Sequence, residues 1–341
     1  MLRIGKQALK FASRVNGVRY LATSPSVPKP LSINDLYKMK KAKTPITMVT
    51  AYDYPSAVHV DIANIDVVLV GDSVGMVELG YDTTLPVTMD EMLHHCRAVA
   101  RGVSRSIIVG DMPFGSYETC DTDAVRNAIR FLKDGNVDAI KLEGGRRRVE
   151  TIKSIVRAGV AVMGHIGLTP QAISILGGFL AQGRTAQQAR SILEDALALQ
   201  DAGCFSLVIE CVPAKVAKVV TEALEIPVIG IGAGPYTDGQ VLVFHDMCGL
   251  YQHPHHAKVT PKFSKRFGNT AEVIQASLNA YREEVLHRTF PSAEYSPYSI
   301  PDAEWEAFQQ SIQKGHLQSQ SKPAQKGADM ETIESPYGTK R

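Results

Sequence analysis

Six short apolar runs in this sequence end on groups able to do chemistry. They end at Asp53, at Asp72 followed by Ser73, at Asp111, at Glu143 with Lys141 two residues earlier, at His165, and at Glu210. Ending an apolar run on an ionisable side chain is unfavourable unless the group meets a partner. Strand side chains alternate between faces, so Lys141 and Glu143 share a face that Leu142 does not. By the same rule Val109 shares the face of Asp111, and Val208 that of Glu210. One register therefore gathers Asp72, Asp111, Lys141, Glu143, His165 and Glu210 at a single mouth. Four carboxylates there repel: like charges about 4 Å apart cost roughly 4 kcal/mol at an effective dielectric near 20. Lys141 neutralises one, and a divalent cation is the natural second answer. Oxygen ligands without cysteine favour Mg2+ or a similar hard ion over structural zinc. Taken singly, Asp53 or Asp72 reads as a helix cap and His165 as a core histidine. Polar ends on six successive strands point instead to a shared site.

Gathering these groups needs parallel strands whose carboxyl ends meet. The β-branched runs at 45–53, 67–72, 106–111, 139–143, 161–165, 206–210 and 227–234 read as seven buried strands, with a weaker eighth within 240–250. Amphipathic helical stretches at 122–134, 184–202 and 212–224 lie between them, the second stopped by Gly203. Apolar strands alternating with helices mean a parallel sheet covered by helices. Eight such units predict a closed α/β barrel, the (β/α)8 TIM barrel, whose sites lie at the C-terminal rim. An open dinucleotide-binding sheet would lean on Gly230, Gly232 and Gly234, but no GxGxxG is present. The segment 33–41 is expected to be a helix closing the barrel's bottom. A turn at 82–88 leads to a helix starting at Thr88 and follows strand two, where it would reach over the mouth. Arg146, Arg147 and Arg148 read as an anion site, a solvated helix start or a subunit contact. His253, His255 and His256 read as a solvated loop rather than a zinc site.

The chain has 341 residues, 44% hydrophobic and 21% charged, enough apolar residue to bury a large core. A formal net charge of +2 gives no reason to expect a nucleic-acid or membrane-surface binder. No apolar run reaches the roughly 18–20 residues of a membrane span. Five cysteines without a CxxC pair read as buried thiols in a reducing compartment. Residues 1–34 lack Asp and Glu but carry six Lys and Arg among apolar residues. That is the pattern of a mitochondrial transit peptide, assigned to 1–30. The barrel is assigned to 31–290. Residues 291–341 read as a polar, mostly flexible extension, with one helical turn at Trp305 and Phe308.

The ordered set Thr50-Ala-Tyr-Asp53, Gly71-Asp-Ser73, Thr84-Leu-Pro-Val-Thr88, Asp111-Met-Pro-Phe114 and Lys141-Leu-Glu-Gly-Gly145 resembles the ketopantoate hydroxymethyltransferases. So do Gly164-His-Ile-Gly-Leu-Thr-Pro170, Glu210-Cys-Val-Pro213, Gly230-Ile-Gly-Ala-Gly234 and Thr237-Asp-Gly-Gln240. The resemblance covers about residues 31–290, in order. It implies a (β/α)8 barrel of the phosphoenolpyruvate mutase/isocitrate lyase type. It further implies transfer of a hydroxymethyl group from 5,10-methylenetetrahydrofolate to 3-methyl-2-oxobutanoate, giving 2-dehydropantoate for pantothenate synthesis. By that resemblance Asp72, Asp111 and Glu143 hold or surround Mg2+, and Asp72, Ser73, Asp111 and Lys141 bind the 2-oxo acid. Glu210 is then the proton acceptor, and His165 hydrogen-bonds substrate or a ligand. The partners are the small molecules 2-oxo acid and folate, with no nucleic acid and no membrane, in a homo-oligomer such as a decamer within the mitochondrial matrix. The stretch 252–258 is longer than in the compact form of the family, and the extension beyond 290 is extra.

Two other readings compete. A folate-independent C–C lyase acting on a 2-oxo acid in the same barrel is disfavoured, because the third strand leads into Asp111-Met-Pro-Phe114 rather than a catalytic cysteine loop. An inactive barrel kept as a binding scaffold is disfavoured because Asp72, Glu143 and Glu210 are all retained.

Overall fold

The structure, a computed structural model, describes residues 29–176, 181–250 and 261–313. The expected transit peptide before residue 29, the histidine-rich loop at 252–258 and the tail from 314 onward lie outside the described residues. The chain divides into two compact units, 1–274 and 275–341.

The first unit is a closed barrel of eight parallel strands in sequential order. They are β1 Ile46–Thr50, β2 Val67–Val70, β3 Ile107–Asp111, β4 Ala139–Glu143, β5 Val162–Gly167, β6 Ser206–Glu210, β7 Val228–Ile231 and β8 Gly239–Leu242. The expected eighth strand is real but short, and it closes on β1 through the Ile46–Gly239 and Met48–Val241 pairings. Helices follow the first six strands: α2 Tyr54–Ile62, α3 Met89–Ala100, α4 Asp121–Lys133, α5 Val149–Arg157, α6 Ala186–Asp201 and α7 Ala214–Ala223, with α1 Ile33–Ala42 before β1. Residues 232–238 join β7 to β8 without a helix. That glycine-rich stretch was included in the expected strand at 227–234; only 228–231 are extended.

Two separate apolar clusters explain why the strands read as continuous runs. The interior holds Met48, Val67, Leu69, Val109, Ala139, Met163, Val208 and Ile229. The jacket between strands and helices holds Val68, Ile108, Leu142, Leu207, Phe131, Ile155 and Leu199. Both faces of β2 to β6 are therefore buried, as a helix-covered parallel sheet requires, while Gln240 of the short β8 is exposed. Leu36 of α1 is buried within the interior cluster, so α1 closes the bottom as expected. Lys40 of α1 pairs with Asp238 at 2.7 Å, tying this helix to the start of β8.

Local signals set the boundaries. Thr88 opens α3 with a capping box to Glu91. Thr185 does the same for α6 with Gln188, and Gly203 at φ +100° follows its end. Val87, at the close of the 82–88 turn, is buried against the jacket. The five cysteines are free thiols, and Cys120 is exposed rather than buried as expected. Its position as N-cap of α4 places it at a helix start, on the surface.

In the second unit the described residues hold most of the helix Thr270–Leu286, here α8, and the helix Asp302–Gln313, here α9. The single turn expected at Trp305 and Phe308 is thus a helix of 12 residues. It includes residues 309–313, which composition alone had placed in a flexible tail. No described helix is long and apolar enough to cross a membrane.

Candidate active site

Inside the barrel the inward stripes of β3 to β6 are apolar below and ionisable above. On β3 the stripe runs Ile107, Val109, Asp111; on β4 Ala139, Lys141, Glu143; on β5 Met163, His165; on β6 Val208, Glu210. Register brings these upper residues level. Asp111 is paired with Lys141, Glu143 with His165, and Glu210 with Gly167. Gly167 has φ +89°, and a Cβ there would run into the Glu210 carbonyl oxygen, so only glycine fits beside β6.

Four of the acids and bases are almost fully buried: Asp111 at 1% exposure, His165 at 3%, Lys141 and Glu143 at 4%. Lys141 Nζ lies 2.7 Å from Asp111 Oδ1 and 3.3 Å from His165 Nδ1. His165 Nε2 faces Glu210 Oε2 at 3.3 Å, an approach too poorly aligned to count as a full hydrogen bond. A continuous line therefore runs Asp111, Lys141, His165, Glu210. Asp72, just past β2, donates its backbone N–H to Asp111 Oδ2 at 3.1 Å. The Ser73 hydroxyl lies 2.8 Å from the hydroxyl of the buried Tyr52. Asp53 stands apart: its carboxylate accepts from the Ser56 N–H as the N-cap of α2.

Two residues that the sequence reading did not single out complete the ring. Gln171, buried, donates Nε2–H to Asp72 Oδ2 at 2.9 Å and to the Met112 carbonyl at 3.0 Å. Its backbone N–H donates to Glu143 Oε2 at 3.0 Å. The Tyr117 hydroxyl donates to Gln171 Oε1 and accepts from the Glu143 N–H. Gln171 directly follows the Gly164–Pro170 motif, which was the available signal. Tyr117 carries no local signal, because its partners come from β4 and the loop after β5.

Burial dominates the electrostatics. It pushes the Asp111 carboxyl up to about 7, against the pull of Lys141 and with the help of Asp72. Burial, then the Asp72 charge, lifts Glu143 well above the usual carboxylate range. Burial acts to lower Lys141, but Asp111, Glu143 and Asp72 outweigh it and hold the ammonium charged. Burial and then Lys141 lower His165, keeping the imidazole neutral at pH 7. The ring thus has more acid than its one ammonium satisfies.

Glu143 Oε1 is moreover buried with no hydrogen-bond partner. An orphaned carboxylate oxygen in an oxygen-rich, cation-poor ring suits a hard divalent ion. Among the described residues no three His, Cys, Asp or Glu side chains stand close enough to form a complete metal cage. Gln171 instead occupies the space between Asp72 and Glu143. The residues present fit Mg2+ taken by one or two carboxylates, with substrate oxygens and water as the other ligands.

A closed parallel barrel with acids, a buried lysine and a histidine at its C-terminal rim has the architecture of a barrel enzyme with its acid–base groups gathered at that rim. More particularly, the chain belongs to the ketopantoate hydroxymethyltransferase family, whose model matches residues 30–293. It is 59% identical over 286 residues to 3-methyl-2-oxobutanoate hydroxymethyltransferase 1, mitochondrial, of Oryza sativa subsp. japonica, covering 84% of this chain and 79% of that protein. To the protein of the same name from Arabidopsis thaliana it is 54% identical over 314 residues, covering 89% and 90%. A solved Burkholderia cenocepacia chain, provisionally described as a phosphonomutase, shares the fold at a TM-score of 0.50 and 14% identity, covering 61% of this chain and 90% of that one.

Proposed function

We infer that the protein transfers a hydroxymethyl group from 5,10-methylenetetrahydrofolate to 3-methyl-2-oxobutanoate, with water, giving 2-dehydropantoate and tetrahydrofolate in pantothenate biosynthesis. Family membership supports the reaction. The observation that carries the chemistry is the buried line Asp111–Lys141–His165–Glu210 beside the orphaned Glu143 carboxylate.

The hard step is removal of the proton on C3, a weak carbon acid next to the 2-keto group. Glu210 is the group that takes it: of the acids in the line it is the least buried, so substrate reaches it from the mouth. The electron pair released from the C–H bond moves onto the 2-keto oxygen. The Lys141 ammonium, fixed by Asp111, stands where that negative charge grows. Neutral His165 accepts from Lys141 at Nδ1, which puts its proton on Nε2, 3.3 Å from Glu210 Oε2. Asp72, Ser73 and Asp111 line the place of the 2-oxo acid. One or two of Asp72, Asp111 and Glu143 would hold Mg2+, with substrate oxygens and water as its other ligands, and the ion would supply Lewis-acid polarisation of those substrate oxygens.

The acid-free basic N-terminal stretch, and relatives named as mitochondrial, support a mitochondrial location. A homo-oligomer is the assembly we assign. The test is direct. Purified protein given Mg2+, the keto acid and methylenetetrahydrofolate forms 2-dehydropantoate and tetrahydrofolate in equal amounts. A chelator stops the reaction and added Mg2+ restores it. No product from the complete mixture overturns the assignment, and turnover of a 2-oxo acid without folate points to the lyase reading.

A further inference from the structure

Gln171 carries no charge and takes no part in the proton transfer, yet its bonds reach the ends of three strands. Its amide N–H groups go to Asp72 Oδ2, just past β2, and to the Met112 carbonyl, just past β3. Its backbone N–H goes to Glu143 Oε2, on the last residue of β4. Its Oε1 accepts from the Tyr117 hydroxyl, which accepts in turn from the Glu143 N–H at 3.2 Å. A carboxylate and a carbonyl only accept, so the amide has one orientation here. Gln171 is 4% exposed and Tyr117 2%, which keeps these bonds out of water.

The backbone of Gln171 is fixed as well. The Leu168 N–H donates to the Glu210 carbonyl at 2.9 Å, and the Ala172 N–H to the Thr169 carbonyl at 2.9 Å. The turn carrying Gln171 is therefore anchored on β6 at one end and on the Glu143 side chain at the other.

Asp72 and Glu143 come from the ends of β2 and β4, with β3 between them. Two carboxylates turned toward one position repel, and strand register alone does not hold them there. Gln171 takes one oxygen of each, and Glu143 Oε1 is left buried without a hydrogen-bond partner. A hydrogen bond to one oxygen of a ligating carboxylate fixes the direction of the other, and loss of such support typically costs about 10–100-fold in metal affinity.

We propose that Gln171, held by Tyr117, is a positioning residue that sets the Asp72 and Glu143 carboxylates in place for the divalent cation. The proposal rests on the Mg2+ reading of the ring and adds the residue that prepares it. Gln171 acts on the carboxylates and not on the substrate.

Calorimetric titration of Mg2+ into the full chain, with 3-methyl-2-oxobutanoate present, tests it without turnover. Gln171→Met keeps the length of the side chain and removes its hydrogen bonds, and Mg2+ then binds at least about tenfold more weakly. Tyr117→Phe removes only the hydroxyl and weakens Mg2+ by about three- to tenfold, so it carries the test should Gln171→Met fail to fold. The double variant loses less than the product of the two single factors, because both act through one amide. Activity lost in either variant returns when Mg2+ is raised above the new dissociation constant, a recovery that a distorted barrel does not show. Unchanged or tighter Mg2+ binding in the single variants overturns the proposal, as does an activity loss that saturating Mg2+ leaves in place. Single factors that simply multiply overturn the part given to Tyr117. Absence of Mg2+ binding by the unaltered chain rejects the cation reading itself, so the two failures are distinct.

Discussion

In the reaction we propose, Glu210 and Lys141 divide the work at the level of single residues. The base must be reachable, and Glu210 keeps 15% of its side chain exposed where Lys141 keeps 4%. The ammonium must not wander, and it is fixed between Asp111 and His165. Replacing Glu210 by Gln preserves shape and the contact to His165 but removes the proton acceptor. We expect Glu210→Gln to bind the keto acid within about threefold of the parent and to lose C3 proton exchange by a factor of at least about 100. NMR of the keto acid in D2O, beside a binding titration, checks both. Undiminished exchange takes Glu210 out of the base role.

Among the elements, the two ends of the barrel have different duties. The carboxyl ends of the strands hold the proposed site; the opposite end carries stability, and Asp61 shows how. It lies in the last turn of α2, where a carboxylate is unfavourable to the helix dipole. It accepts from the backbone N–H groups of Ser104, Arg105 and Ser106 at 3.0 Å each, and from the Ser104 hydroxyl at 2.7 Å. Those residues lead into β3, so the carboxylate fixes the start of that strand. Burial acts to raise its pKa, but these hydrogen bonds outweigh it and hold the carboxyl below the usual aspartate range. A depressed folded-state pKa means stability that is present above the unfolded value near 4 and is lost as pH falls through the folded one. Asp61→Asn should therefore cost about 1–3 kcal/mol at pH 7. The gap from the parent should narrow below about pH 4. Thermal or urea melts at both pH values read this; an equal gap at the two would refute the ionic part.

For the molecule as a whole, assembly is the property that a physical measurement reads directly. α8 carries Ile274, Leu278, Tyr281 and Val285 at spacings of four, three and four residues, and each is at least 42% exposed. Apolar residues in that spacing form one stripe along a helix. From this stripe, and on the homo-oligomer we propose, we expect sedimentation to give a mass that is a multiple, greater than one, of 37.1 kDa. A single 37.1 kDa species at micromolar concentration would contradict the assignment of a homo-oligomer.

Much of this protein is legible in one dimension. Strands buried on both faces must be apolar along their length, so an ionisable end such as Asp111 or Glu210 is conspicuous, and period-two alternation places Lys141 with Glu143 before any fold is known. The alternation of such strands with helices then leaves few closed arrangements, and α1 could be assigned to the barrel's bottom for the same reason. What the residue order could not supply is who meets whom across the ring. Gln171 joins Asp72 to Glu143 only because the loop after β5 turns inward, and Tyr117 reaches it from the loop after β3. Hydrogen bonds between residues 50 or 100 positions apart leave no periodicity to read. Local pattern sets which face a side chain takes; only closure of the sheet brings a lysine, a histidine and four acids to one rim, where burial raises Asp111 and Glu143 and lowers His165.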